Sequence, residues 1–262
     1  MSVAGVWLNK MRSIMNQEAE SACNDFLYYH QAILRPAAEE FDGRMIERSL
    51  KLHHVIQMNM LAAHMLDYLM EIRVALGLKE GRGALVKEFD ERFAVKGARF
   101  LNRKFQLVDA VNNAVKHVVL EKERYKEVFS EYGKIGFRCL REDSGLILFE
   151  GEGYRFDFSR VVLRPVLAVV VPLSFDEVDR VAEFATDGAS DEITADDRDD
   201  DPIDQMINYC NPNCPDCGEG EDGCRCSEFL YAGSEGEFRS DQDRNFDIDA
   251  IMTRISGAYR RS

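Results

Sequence analysis

Five of the seven cysteines lie within seventeen residues, and this clustering constrains the fold more than any other feature of the sequence. They are separated mainly by glycine, proline and acidic residues, and are Cys210, Cys214, Cys217, Cys224 and Cys226. Thiolates at such short spacings suit a tetrahedral metal site, most often one for zinc. In a reducing compartment, clustered cysteines favour metal binding over disulfides. The sequence therefore predicts a structural Zn²⁺ held by four of these five side chains.

The middle of this cluster has two resemblances to known metal motifs. Cys214-Pro-Asp-Cys217-Gly resembles the knuckle turn of zinc ribbons, in which two thiolates share one metal. Cys224 and Cys226 can supply the other two ligands, and Cys210 either replaces Cys226 or stays outside the site. The spacing from Cys210 to Cys217 also resembles the iron–sulfur motif of radical SAM enzymes. Only 45 residues follow Cys217, too few for the barrel of that family, so zinc is favoured.

Charge divides the chain into two parts. Residues 1–175 hold 25 Lys and Arg against 23 Asp and Glu, whereas residues 176–262 hold 8 against 24. An acidic surface repels phosphate backbones, which disfavours direct duplex DNA binding by the C-terminal region. That region either keeps the protein soluble or docks on a partner with a basic surface, including by imitating nucleic acid. Neither a secretory signal nor a membrane-spanning run is visible, so we expect a cytoplasmic protein without membrane contact.

Residues 1–133 have the apolar periodicity of an antiparallel helical bundle. The predicted helices cover about Asn9–Leu34, Arg44–Leu76, Ala84–Phe93 and Phe100–Tyr132. The first should end before Pro36, because a proline pushes the preceding residue out of the helical region. The second is apolar on most sides from Val55 onward, so it should be central and buried. Gly133 should end the last helix.

Residues 134–186 have the pattern of a small antiparallel sheet with one helix, packed on the bundle. The predicted strands cover Ile135–Leu140, Gly145–Glu150, Tyr154–Phe158 and Val161–Val171. Ser174 and Glu177 have the spacing of a capping box, so a helix should follow and run to about Phe184. The predicted fold class is therefore α+β, with a helical bundle, a small sheet and a C-terminal zinc-binding module.

The last part of the chain divides into an acidic linker and the zinc module. Residues 187–205 include a run of aspartates that cannot build a core, which is typical of a linker. Residues 206–262 hold the cysteines and end in a predicted helix over about Phe246–Tyr259.

Polar side chains interrupt the apolar pattern of two predicted helices. His64-Met-Leu-Asp67-Tyr68 lies on the central one, and Asn113-Ala-Val-Lys116-His117 on the last. These motifs, within about residues 25–130, resemble those of a group of uncharacterised bacterial helical-bundle proteins similar to HEPN domains. The resemblance implies a candidate polar site made of His64, Asp67, Asn113, Lys116 and His117. In the alternative interpretation, Asp109, Asn113 and Lys116 form a solvent-exposed face, and the histidines are core residues.

Many HEPN domains are metal-independent ribonucleases, with a motif of Arg, four to six residues and then His. Arg48-Ser-Leu-Lys-Leu-His53 matches that spacing. The resemblance implies catalytic roles for Arg48, His53, Lys116 and His117, and a site across a homodimer interface. At the second motif, Asn113 to His117, no arginine stands before His117 with four to six residues between them.

These observations favour a non-enzymatic, zinc-binding accessory protein of bacterial or phage origin. Its acidic C-terminal region would dock a protein partner with a basic surface. The alternative is a HEPN-like, metal-independent ribonuclease that acts in host–phage conflict.

Overall fold

The computed structural model of the chain describes residues 16–93, 103–117, 120, 123–143, 145–152, 155–173, 178–186, 206, 209–214, 217–224 and 248–249. The α-helices in these segments are α1 Gln17–Tyr29, α2 Arg35–Ile46, α3 Leu52–Ala75, α4 Arg82–Arg92, α5 Lys104–Lys116, α6 Lys126–Tyr132, α7 Arg164–Val170 and α8 Val178–Thr186. Two π-helical turns, His30–Leu34 and Ser159–Leu163, precede α2 and α7. The strands are β1 Leu140–Asp143, β2 Leu146–Glu150 and β3 Arg155–Asp157, so the α+β class is confirmed. Within the described segments, none of the helices has the length and apolarity needed to cross a membrane.

The central helix is α3, as the apolar pattern predicts. It contacts α1, α2, α4, α5 and α8, and its buried side chains include Val55, Met65 and Leu69. It begins at Leu52, later than predicted, because the chain turns between α2 and α3. The Glu142 carboxylate accepts a hydrogen bond from the Leu52 backbone N–H at 3.2 Å, which satisfies one of the donors left open at a helix start.

The helical backbone that begins with α1 continues through Pro36, so the prediction that it stops before this residue is wrong. The chain passes from α1 through a π-helical turn into α2, with Pro36 in the first turn of α2. In the π-helical turn the Arg35 N–H bonds to the carbonyl of His30, five residues back. Proline has no N–H to lose, and the first turn of a helix is where it is tolerated best.

The last predicted helix, Phe100–Tyr132, is two helices in the structure. Helix α5 ends at Lys116, because His117 has an extended backbone with φ −125° and ψ 126°. Helix α6 then packs against α5, which buries Tyr125 and Val128. Gly133 ends α6 with φ +77°, a conformation that favours glycine.

The small sheet is antiparallel, as predicted, and its strand order is β1-β2-β3. Leu140 pairs with Phe149, and Phe149 pairs with Phe156. The first predicted strand, Ile135–Leu140, is wrong except for its last residue, because residues 135–139 are irregular and β1 begins at Leu140. The fourth predicted strand, Val161–Val171, is wrong because this run is helical from Ser159 to Val170. Short apolar runs do not distinguish a buried strand from a buried helix, and this one packs against α3 and α5.

Helix α8 ends against two arginines of the bundle. Arg73 Nε donates to the carbonyl of Ala185 at 2.5 Å, and Arg92 donates to that of Phe184 at 3.1 Å. Both bonds satisfy carbonyls left open at the helix end. The predicted capping box at 174–177 and the acidic linker at 187–205 lie outside the described residues. So does the predicted C-terminal helix, except for Ile248 and Asp249, which are helical and exposed.

Candidate metal centre

Three cysteine side chains meet beside the helical body. The sulfur atoms of Cys214, Cys217 and Cys224 all lie within 4.8 Å of one another. The first two side chains are buried and the third is partly buried. The sulfurs of Cys217 and Cys224 are 3.7 Å apart. Sulfurs bound at about 2.3 Å to a tetrahedral zinc stand roughly 3.8 Å apart, so these three side chains can hold a metal ion.

Two tight turns bring the cysteines together. The Gly218 N–H donates to the carbonyl of Cys214 at 2.7 Å, and the Cys214 N–H donates to that of Glu219 at 2.7 Å. Gly218 has φ +73°, which a glycine adopts without strain. Further on, the Cys224 N–H donates to the carbonyl of Gly220 at 2.8 Å. The described backbone of this segment, residues 214 and 217–224, is therefore folded so that its three thiols lie close together. We call it the cysteine loop.

Two arginines attach the cysteine loop to the helical body. Arg164, at the start of α7, forms a close ion pair with Glu219. Arg160, one turn earlier, donates a hydrogen bond from Nη1 to the carbonyl of Gly223 at 3.0 Å. The same nitrogen lies 3.6 Å from Oε1 of Glu219. Cys214 and Cys217 also belong to the same buried apolar cluster as the helices. The candidate metal centre is thus packed on the body.

The remaining two predicted ligands are placed differently. Cys210 is exposed and lies outside the group formed by the other three thiols. Cys226 lies outside the described residues.

A second group of polar side chains lies where α3, α4 and α5 meet. Arg82 is at its centre: its Nε donates to Asp67 at 2.5 Å, and its Nη1 forms a close ion pair with Asp109. Asp109 also accepts hydrogen bonds from the hydroxyl of Tyr125 at 2.9 Å and from the amide of Asn113 at 3.1 Å. We call this group the polar cluster: Asp67, Arg82, Asp109, Asn113, Arg124 and Tyr125.

Burial and neighbouring charges together set the pKa values of two members of the polar cluster, Arg82 and Tyr125. The side chain of Asp109 is 5 % exposed and that of Arg82 is 20 % exposed. Burial alone would lower the pKa of Arg82, but the carboxylates of Asp109 and Asp67 raise it, so the guanidinium stays charged. Burial also raises the pKa of Tyr125, which keeps its hydroxyl protonated as a donor. The alternative that Asp109 belongs to a solvent-exposed face is therefore wrong.

The structure brings together only part of the candidate polar site. Asp67 and Asn113 belong to the polar cluster and are joined through its two central residues. His64 is exposed on α3, where its ring contacts aromatic rings of α1 and α3. Lys116 and His117 are exposed at the C-terminal end of α5. The two motifs thus contribute one residue each to the cluster.

The residues of the predicted nuclease motif lie on the surface. Arg48, with φ 54°, is exposed in the turn between α2 and α3, and His53 is exposed in the first turn of α3. Among the residues that the structure describes, no hydrogen bond, ion pair or ring contact joins either of them to Lys116 or His117. Their catalytic roles stay a prediction.

Sequence reasoning missed the basic side chains of both sites. Arg160 and Arg164 are four residues apart, a spacing that puts both on one helix face. The spacing was not interpreted in this way, because the apolar run around Arg164 predicts a strand. Glu219, which lies between Cys217 and Cys224, is the acidic residue that could have suggested an ion pair with these arginines. Arg82 stands between two glycines and has no pattern that would point to a buried role.

Comparison of the chain with protein-family models, with curated proteins and with solved structures finds no match.

Proposed function

We propose that this chain is a zinc-binding accessory protein that acts by docking a partner and not by catalysis. The observation that carries the proposal is the attachment of the cysteine loop to the body through Arg160 and Arg164. A metal held by that loop would fix the chain on the body shortly after the acidic linker, residues 187–205. The metal would then have a structural role, because it would stabilise the arrangement in which the acidic region faces a partner.

Zinc is the metal that the donor set favours. Three thiolates at tetrahedral spacing suit Zn²⁺ better than hard cations, which prefer oxygen ligands. For the fourth ligand we propose Cys226, since it lies two residues beyond Cys224 and the exposed Cys210 is outside the group. Thiols kept reduced for metal binding support a cytoplasmic location.

The charge of the C-terminal region supports a partner with a basic surface. Residues 176–262 carry 24 acidic against 8 basic side chains, so their field attracts positive surfaces and repels nucleic acid. Such an interaction depends on ionic strength, because exposed charges are screened within about 8 Å in physiological salt. Salt dependence is therefore an expected property of the complex.

The ribonuclease alternative requires a histidine and a cation that converge on one phosphate. The candidate pairs are Arg48 with His53 and Lys116 with His117, and all four side chains are exposed. No arginine stands before His117 at the spacing of the motif, so the second pair does not match it. For that reason we favour the accessory function.

The metal is tested by zinc analysis of the purified full chain. We expect about one zinc per chain, lost in Cys217→Ser and Cys226→Ser and retained in the matched control Cys210→Ser. Iron with sulfide, or no metal at all, would contradict the zinc assignment. If Cys210→Ser loses zinc and Cys226→Ser retains it, the fourth ligand is Cys210.

The partner is tested by affinity purification from the native host. The wild-type chain should recover a protein with a basic surface, and recovery should fall as salt rises. The comparison is a full-length variant in which five acidic residues become asparagine: Asp196, Asp197, Asp199, Asp200 and Asp201. This variant should recover much less of the partner while keeping its zinc. Equal recovery by both chains, at low and high salt, would contradict docking through the acidic region.

A further inference from the structure

Two sulfurs of the cysteine loop stand close together and differ in their exposure. Cys217 and Cys224 stand 3.7 Å apart, so a short movement would bring their sulfurs to bonding distance. Cys217 is buried at 1 % exposure, whereas Cys224 is partly open to solvent. A small oxidant can therefore reach the thiol of Cys224. The thiol of Cys217 is close enough to attack the oxidised sulfur afterwards.

Two other thiols of the folded body are protected from the same chemistry. Cys23 and Cys139 are buried, and burial raises the pKa of each to about 12. A thiol reacts with oxidants as the thiolate, so these two should stay reduced at neutral pH. Cys210 is exposed but lies outside the group of three close thiols. Disulfide formation should therefore begin in the cysteine loop, where thiols already stand close together.

The same loop holds the contacts with the body. Glu219 and Gly223, which bind Arg164 and Arg160, both lie between Cys217 and Cys224. A covalent bond between these cysteines would change the shape of the segment that carries both contacts. Oxidation of the two sulfurs would therefore disturb the contacts that attach the loop to the helical body.

We propose that Cys217 and Cys224 form an oxidation site at which a peroxide releases the metal and detaches the cysteine loop from the helical body. The inference rests on the proposed function in one respect, namely that the thiolates hold zinc. The Cys224 thiolate attacks the peroxide oxygen and becomes a sulfenic acid, and one water leaves after protonation. The Cys217 thiolate then attacks that sulfur, a disulfide forms, and a second water leaves. Two electrons pass from the sulfur pair to the peroxide; zinc keeps its charge and dissociates, because it has lost two thiolate ligands.

The test uses the zinc-loaded full chain and hydrogen peroxide. With about one equivalent of peroxide consumed, about one zinc per chain should appear in a chromogenic chelator assay. Peptide mass mapping should then find a Cys217–Cys224 disulfide, with Cys23 and Cys139 still reduced. Hydrogen exchange of the amides at 159–170 and 217–224 should become at least about tenfold faster. A thiol reductant with added zinc should restore the slow exchange.

Matched variants separate this site from its neighbours. Cys210→Ser leaves the pair intact and should release zinc as the wild type does. The inference is overturned if zinc stays bound, if the disulfide joins a different pair, or if exchange does not change after zinc has left. A protein that purifies without zinc contradicts the proposed function instead, because the zinc assignment is then wrong whether or not an oxidant is added.

Discussion

Arg82 and Asp109 form an ion pair at the junction of α3, α4 and α5, and the other members of the polar cluster all contact one of the two. Asp109 is almost fully buried, so its charge is compensated by protein groups and hardly by water. If one partner of a buried ion pair is removed, the other is left as an unpaired buried charge, which is destabilising. The cluster therefore stabilises the junction of three helices as a unit.

We expect Asp109→Ala to lower the free energy of unfolding by about 3–5 kcal/mol, because Arg82 and the hydroxyl of Tyr125 lose their common acceptor. Urea denaturation monitored by circular dichroism measures the change. The control is Glu40→Ala, which removes an exposed pair with Arg44 and should cost less than about 1 kcal/mol. Similar losses for both variants would mean that the buried network contributes no more than a surface ion pair.

The pH dependence of stability should report on Asp90. Its carboxylate accepts hydrogen bonds from the backbone N–H groups of Phe105, at 2.8 Å, and Gln106, at 3.0 Å, at the start of α5. Burial outweighs these donors and raises the pKa of Asp90 to about 7. The native protein then binds more protons than the unfolded chain between about pH 4 and pH 7. Within that window the contribution of Asp90 to stability falls as pH rises.

Asp90→Asn cannot titrate and isolates this contribution. The free energy of unfolding of the variant, relative to that of the wild type, should rise by up to about 1 kcal/mol per pH unit between pH 4 and pH 7. Urea denaturation of both proteins at several pH values gives the difference, in which the other titrating groups cancel. A difference that falls with pH would mean that the backbone donors win over burial and that the carboxylate is stabilised as the charged form.

The sequence predicted the parts of the fold in which one periodicity is unambiguous. The buried helix α3 and the strands β2 and β3 follow from apolar or alternating patterns. Two of the errors lie at Arg-Pro dipeptides, Arg35-Pro36 and Arg164-Pro165, each of which follows a π-helical turn and opens an α-helix. At the first dipeptide, the local rule that a helix ends before a proline is wrong. At the second, a short apolar run fits a strand as well as a helix, and the tertiary contacts determine which one forms.

The candidate metal centre was only partly accessible to sequence reasoning. The clustered thiols point to a metal without any structure, and the grouping of Cys214, Cys217 and Cys224 agrees with this. The attachment through Arg160 and Arg164 depends on a helix that the β-branched residues around it disguise as a strand. A contact between segments more than fifty residues apart has no local pattern, so it had to come from the structure.

Glu219→Gln should separate metal binding from attachment. The variant keeps the cysteines but loses the negative charge that pairs with Arg164, so zinc content should be unchanged. Hydrogen exchange of the amides at 217–224 should become about tenfold faster, because the loop opens from the body more often. Glu221→Gln is the matched control, since Glu221 is exposed in the same loop. If both variants exchange alike, the ion pair does not hold the loop.

The last prediction distinguishes the accessory function from the ribonuclease alternative. A HEPN-like enzyme should cleave single-stranded RNA in the presence of EDTA, and loss of its general acid or base should lower the rate by at least about 100-fold. We expect no cleavage above background by the wild-type chain, because no arginine stands before His117 at the spacing of the motif. The assay compares the wild type with His53→Ala, His117→Ala and the exposed-site control Gln57→Ala. Cleavage that persists in the Gln57 variant and is lost in either histidine variant would establish the nuclease and refute the purely accessory function.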